Sequence, residues 1–215
     1  MTDTTGPGPR WQALIAVLAV TGLYVALPPS LTVGPTWLVP VIVAAIEIPL
    51  FVLHRMGRHR LDSWLGLTLL SILTIAMVAA VGFLIGLLPT HRESPTQLLR
   101  SAASLWVTNV LVFALWYWRL DAGGPHARDA RNAHESGAFV FPQMTPIGAG
   151  GEDGSQAGWS PQFIDYLFLA FNTSAAFSPT DTPVLTRWAK VLMMLQSLIS
   201  LAVIAVLAAR AVNIL

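Results

Sequence analysis

The sequence has no cysteine, which excludes a disulfide-stapled secreted scaffold, thiolate metal sites and a cysteine nucleophile. It is also poor in charge. Asp, Glu, Lys and Arg make up 11% of its 215 residues, whereas a soluble domain carries about 25%. That is too little to clothe a surface in water. Neither sign dominates, since 12 basic and 11 acidic residues leave a net charge of +1, and no polybasic region suggests nucleic acid as a partner. No Ser/His/Asp set, glycine-rich phosphate loop or paired-carboxylate arrangement stands out. His54 and His59 flank an arginine cluster as interface anchors, and His126 and His134 fall in a loop without a supporting frame. Neither an enzyme nor a cofactor or metal site is expected.

What the sequence does have is apolar residues, 54% of the chain, gathered into blocks long enough to make lipid the solvent. Backbone in a bilayer must satisfy itself, so each block is a helix or part of a closed barrel. These blocks are too continuous for barrel strands, which alternate. Five spans are predicted, over residues 11–28, 37–53, 63–88, 98–118 and 189–209. The third is longer than a perpendicular helix needs and must tilt or protrude. Trp11, Trp37, Trp64, Trp116, Tyr117, Trp118 and Trp188 collect at the block ends as an interfacial belt. No strongly positive segment precedes the first block, so it reads as a mature span rather than a secretory signal. Residues 121–159 change character. Glycines 123, 124, 148, 150 and 151 punctuate a polar stretch that reads as a flexible aqueous loop. Within it Phe139-Val140-Phe141-Pro142 is expected to dip into the interface or pack on a neighbour.

Arginines in short loops set orientation. With the N-terminus in the cytoplasm, Arg10, Arg55, Arg58, Arg60, Arg119, Arg128, Arg131, Arg187 and Lys190 fall inside, against Arg92, Arg100 and Arg210 outside. The C-terminus is then external.

Residues 160–183 do not form a sixth span. Ser160-Pro161 reads as an N-cap followed by proline at the first helical position. A helix from there to about Thr173 would be roughly 20 Å long, two-thirds of the hydrocarbon thickness. Ser178-Pro179 ends helical backbone, and Thr182-Pro183 supplies a second cap and start leading into the fifth span. Half-helix, extended segment and full helix together make a re-entrant loop, which is tolerated at membrane depth only when buried in protein or lining water.

Asp165-Tyr166-Leu167-Phe168-Leu169-Ala170-Phe171-Asn172-Thr173, with Ala175-Ala176-Phe177-Ser178-Pro179-Thr180-Asp181, resembles the pore helix and selectivity filter of tetrameric potassium-channel-type pores. The resemblance implies that the fourth span is an outer helix, the fifth an inner helix, and the assembly a tetramer. It divides the chain into a peripheral three-span region, 1–97, and a pore-like module, 98–215. The filter itself departs from the family. Ser178 and Thr180 stand where two glycines would supply unusual dihedrals, with Pro179 between them, so a cage of carbonyl oxygens cannot be copied. A side-chain filter replaces it, built from Asn172, Thr173, Ser174, Ala175, Ala176, Phe177, Ser178, Pro179, Thr180 and Asp181. The Asp181 carboxylates would form a ring that favours cations, or a Phe177 ring would gate by dewetting. The family's filter faces outside, whereas the arginine distribution places this loop inside.

Several residues carry two readings. Asp181 is either a ring member or a dipole partner of the following helix, and Asp165 is more simply the latter. Glu47, beside Pro49, is an ionisable group at membrane depth and a functional candidate, or else it snorkels or pairs toward Arg55. Asn109 and Gln196 are most simply interhelical hydrogen-bond partners. If the fifth span lines a pore, Gln196, Ser197 and Ser200 wet it. Met193 and Met194 are packing residues.

The expected fold class is therefore all-α: five transmembrane helices and one re-entrant half-helix in a plasma membrane of the bacterial inner type. The expected function is a weakly selective cation channel or channel-like homo-oligomer in contact with membrane lipid. A non-conducting scaffold that keeps the channel fold, and a small-solute transporter using the half-helix end, are the alternatives.

Overall fold

The computed structural model describes residues 10–55, 59–87, 94–129, 137–144, 159–178 and 181–212. The helices are α1 (Trp11–Val25), α2 (Leu38–Arg55), α3 (His59–Leu87), α4 (Pro95–Leu120), α5 (Pro125–Asp129), α6 (Phe163–Ala175) and α7 (Arg187–Val212). The fold is all-helical, and the described residues contain no strand beyond one isolated bridge, Phe139 to Val184. Three segments, Leu61–Leu87, Pro95–Gly123 and Arg187–Ala209, are long and apolar enough to cross a membrane. The apolar helices Trp11–Val25 and Leu38–Val52 are shorter.

Polarity runs opposite to that of a soluble domain. Trp64, Ile75 and Met194 lie on the surface at 72%, 68% and 66% exposure, while Asn109, Asp121, Gln196 and Ser200 are fully buried. An apolar exterior around a polar interior is what lipid selects, and the chain is a membrane protein.

The central element is α4, which packs against α1, α3, α6 and α7. It begins with a capping box in which Ser94 Oγ accepts the amide of Gln97 and Gln97 Oε1 accepts the amide of Ser94, with Pro95 at the first position. It ends in a tight reversal. Ala122, Gly123 and Gly124 have φ of 50°, 81° and 89°, and a side chain on Gly124 would meet the Arg119 carbonyl oxygen at 2.8 Å. The Gly123-Gly124-Pro125 run is thus a defined corner leading into α5 rather than flexible chain. The run 148–151 and His134 lie outside the described residues.

The apolar island inside the loop packs on its own chain. Phe139 is buried among Tyr117, Tyr166 and Trp188 at ring separations of 5.2, 6.3 and 6.2 Å. Phe141 meets Tyr166 at 5.4 Å. Main-chain bonds hold this plug. Val140 N donates to Pro183 O (3.0 Å) and Leu185 N donates to Ala138 O (2.8 Å). That pairing corrects the expected helix start at Thr182-Pro183. Residues 183–185 are held extended against the plug, so α7 begins only at Arg187. The start of α6 also moves. Instead of Ser160 capping a helix with Pro161 at its first position, Asp165 reaches back to accept the amide of Gln162 (2.7 Å), and the helix begins at Phe163.

Candidate functional site: the buried end of a half-length helix

α6 has 13 residues. Its first turn lies beside the end of α4, with Trp118 and Phe163 rings 6.1 Å apart. Its last turn reaches Asn109, near the middle of α4, and Gln196, nine positions into α7. The chain then turns back and returns to Val184 beside Phe139. A helix that stops halfway leaves its last carbonyls without intrahelical donors, and away from water each such group is costly.

α7 supplies the missing donors. Ser200 Oγ donates to Ser174 O (2.6 Å) and Ser197 Oγ to Thr173 O (3.4 Å). Gln196 Nε2 donates to Ala170 O and to Ser174 Oγ, both at 2.7 Å. Gln196 Oε1 accepts from Tyr117 Oη (2.5 Å). From α4, Asn109 Nδ2 donates to Gln196 O (3.2 Å) and Ser174 Oγ (3.4 Å), while Trp106 Nε1 donates to Ser200 Oγ (3.0 Å). α4 and α7 are thereby joined at the C-terminal turn of α6, and side chains spaced along one face of α7 cap α6.

This network sorts the residues predicted to line a passage. Thr173, Ser174, Gln196 and Ser200 are buried inside the chain. Asn109 and Gln196 are the interhelical hydrogen-bond partners that their positions suggested. The conditional reading of Gln196, Ser197 and Ser200 as wetting a pore gives way, because their side chains point at α6 and α4, where the α6 carbonyls need them. Asn172 donates to Phe168 O within its own helix (2.9 Å). What remains on the surface is Ala175, Ala176, Phe177, Ser178 and Asp181. Phe177 has φ of 54°, uncommon for a residue with a side chain, so the unusual dihedral falls one residue before the first glycine-like position. Pro179 and Thr180 lie outside the described residues. The outer face of α6 leading to the tip is apolar along its length, with Ile164, Phe168 and Phe171 at 55%, 62% and 47% exposure.

A second polar centre locks the end of α4. The buried Asp121 carboxylate accepts Ala138 N (2.5 Å) and Tyr166 Oη (2.6 Å). Arg128 donates to the carbonyls of Trp118 and Asp121, both at 2.8 Å, and lies 5.1 Å from the centre of the Tyr166 ring. Sequence reading missed Asp121. An acid and an arginine flanking a double-glycine corner were the available signal.

A third centre lies on the other side of α4. Arg119 pairs with Asp62 of α3, donating to its carboxylate at 3.3 Å and also to its main-chain oxygen. His126 Nε2 approaches the same carboxylate at 3.0 Å, and the Arg10 guanidinium lies 3.1 Å from both ring nitrogens. His126 therefore has the frame its loop position did not suggest. Gly66 makes the pairing possible, since a Cβ there would overlap the Arg119 guanidinium. Among the described residues no group of three metal-ligating side chains converges. Comparison with family models, curated proteins and solved structures finds no match to this chain.

Proposed function

We propose that the chain is the protomer of a pore-loop, channel-like membrane protein. In this reading five helices, α1–α4 and α7, cross the bilayer, and α6 enters partway from the arginine-rich side and turns back. The observation that carries it is the tip of the hairpin. Residues 175–178 are non-helical or helix-ending backbone halfway along α4 and α7, yet they are exposed on the lone chain. Irregular backbone at that depth is stable only against protein or water, so copies of the chain must meet there around a shared hydrated axis. Closed rotational symmetry is the usual solution, and four copies follow from the resemblance to potassium-channel-type pores. Asp181, exposed beyond the tip, would place one carboxylate per copy at the mouth and favour cations.

One observation favours a second reading. Because Thr173, Ser174, Gln196 and Ser200 are committed inward, the tip offers Ala175, Ala176 and Phe177 with few hydroxyls. Such an axis could be dry, leaving a scaffold that assembles through the channel-like hairpin without conducting. The absence of cysteine makes a clean experiment possible. A single Phe177→Cys chain should form disulfide dimers across the axis, and a wholly monomeric product defeats both readings. Cation flux into proteoliposomes, reduced by Asp181→Asn, then selects the channel. Assembly without flux selects the scaffold.

A further inference from the structure

A cleft of about 560 Å³ lies between α1 and α2, floored by α3 and α4, where α1 and α2 meet only sparsely. The volume is within the range of small-ligand sites. Much of the wall is apolar, including Val17, Leu69, Leu70 and Leu115, and four charged residues, Arg10, Glu47, Asp62 and Arg119, share it. Leu14 and Phe51, also on the wall, are 43% and 57% exposed, so the cleft opens sideways onto the apolar surface of the bundle. An occupant can enter from lipid.

The charges specify its head. Asp62 is satisfied by Arg119 and His126. Glu47 is not: among the described residues its carboxylate accepts no hydrogen bond and forms no ion pair, although Arg119 is within electrostatic reach. Arg119 Nε is buried with no acceptor. An unpartnered carboxylate at membrane depth is costly, and a cationic N–H donor would relieve it, while an anionic oxygen would suit the arginines. One small head bearing both, joined to alkyl chain, is a zwitterionic phospholipid with a primary amine. We infer that this cleft binds an ethanolamine-type phospholipid, its ammonium on Glu47, its phosphodiester on the arginine wall and its chain along α1 and α2. A choline head lacks the N–H, and a glycerol head lacks the positive charge. The inference is independent of the pore-loop reading, because one protomer contains the whole cleft.

Native mass spectrometry of the detergent-purified protein, titrated separately with the lyso forms of phosphatidylethanolamine, phosphatidylcholine and phosphatidylglycerol, tests it. The expected result is one ethanolamine lipid per chain, held about tenfold more tightly than the other two, since a hydrogen bond to a charged group is worth roughly that factor or more. Glu47→Gln should abolish the preference at unchanged melting temperature. Leu14→Trp, which fills the cleft, should lower binding of all three lipids. Equal binding of the three, preference for the glycerol head, or a folded Glu47→Gln chain with its preference intact overturns the assignment. Where Glu47→Gln does not fold, Leu14→Trp decides, and wild-type affinity for the ethanolamine lipid in that variant overturns it.

Discussion

The two sides of α4 solve the same problem differently. On the side of α6 and α7, buried polar groups are shared among helices: Gln196 alone serves Tyr117, Ala170 and Ser174. On the side of α1, α2 and α3 the charges cluster at one end, around Asp62, beside a cleft bordered by the described residues of α1 and α2. A half-length helix obliges its neighbours to supply donors. α1, α2 and α3 end away from such a buried network and carry no such obligation, and α1 and α2 meet only sparsely. The α6–α7 hairpin is thus tied down by shared hydrogen bonds, whereas α1 and α2 border a cleft with little packing between them.

Substitutions can break that contrast, and the largest effect is expected at Asp121. Asp121→Ala leaves Tyr166 Oη and Ala138 N buried without an acceptor and should cost about 3–5 kcal/mol of stability. A thermal melt in detergent that barely moves would mean the corner is not a lock. Gln196→Leu strands Tyr117 Oη and removes two donors from α6, for about 2–4 kcal/mol. Gly66→Ala drives Arg119 off Asp62 and should cost about 1–2 kcal/mol, within the ordinary range of point substitutions. Ser94→Ala, which removes only the α4 cap, should cost about 1 kcal/mol. Double-mutant cycles sharpen the comparison. Gln196→Leu and Ser174→Ala share hydrogen bonds and should couple by at least about 0.5 kcal/mol, whereas Gln196→Leu and Gly66→Ala, on opposite sides of α4, should add within about 0.5 kcal/mol. Coupling in the second pair would show that the two sides are one cooperative unit.

The long helices were legible because lipid imposes a simple rule on composition: α3 covers the described part of the predicted block 63–88, and α4 and α7 contain the blocks 98–118 and 189–209. A short helix here was legible too, since Pro161 and Pro179 bracket an apolar run too short to cross, and α6 lies between them. Its two ends were less so. Ser160 followed by Pro161 had the residue types of a cap and first helical position, but Asp165 formed the competing bond to Gln162. Thr182-Pro183 likewise looked like a start until residues 138–140, far away in the chain, claimed its backbone. Glu47 was singled out for its depth alone, and its place on a cleft shared with Arg10 and Arg119 came from the packing of separate helices.

Local sequence determined that the chain is helical and that lipid is its solvent, because hydropathy acts over a few residues. Only the tertiary structure decided which way Gln196, Ser197 and Ser200 face. A polar side chain on a membrane helix turns toward whichever unsatisfied group is nearest, and here that group is the end of a helix more than twenty residues earlier in the chain.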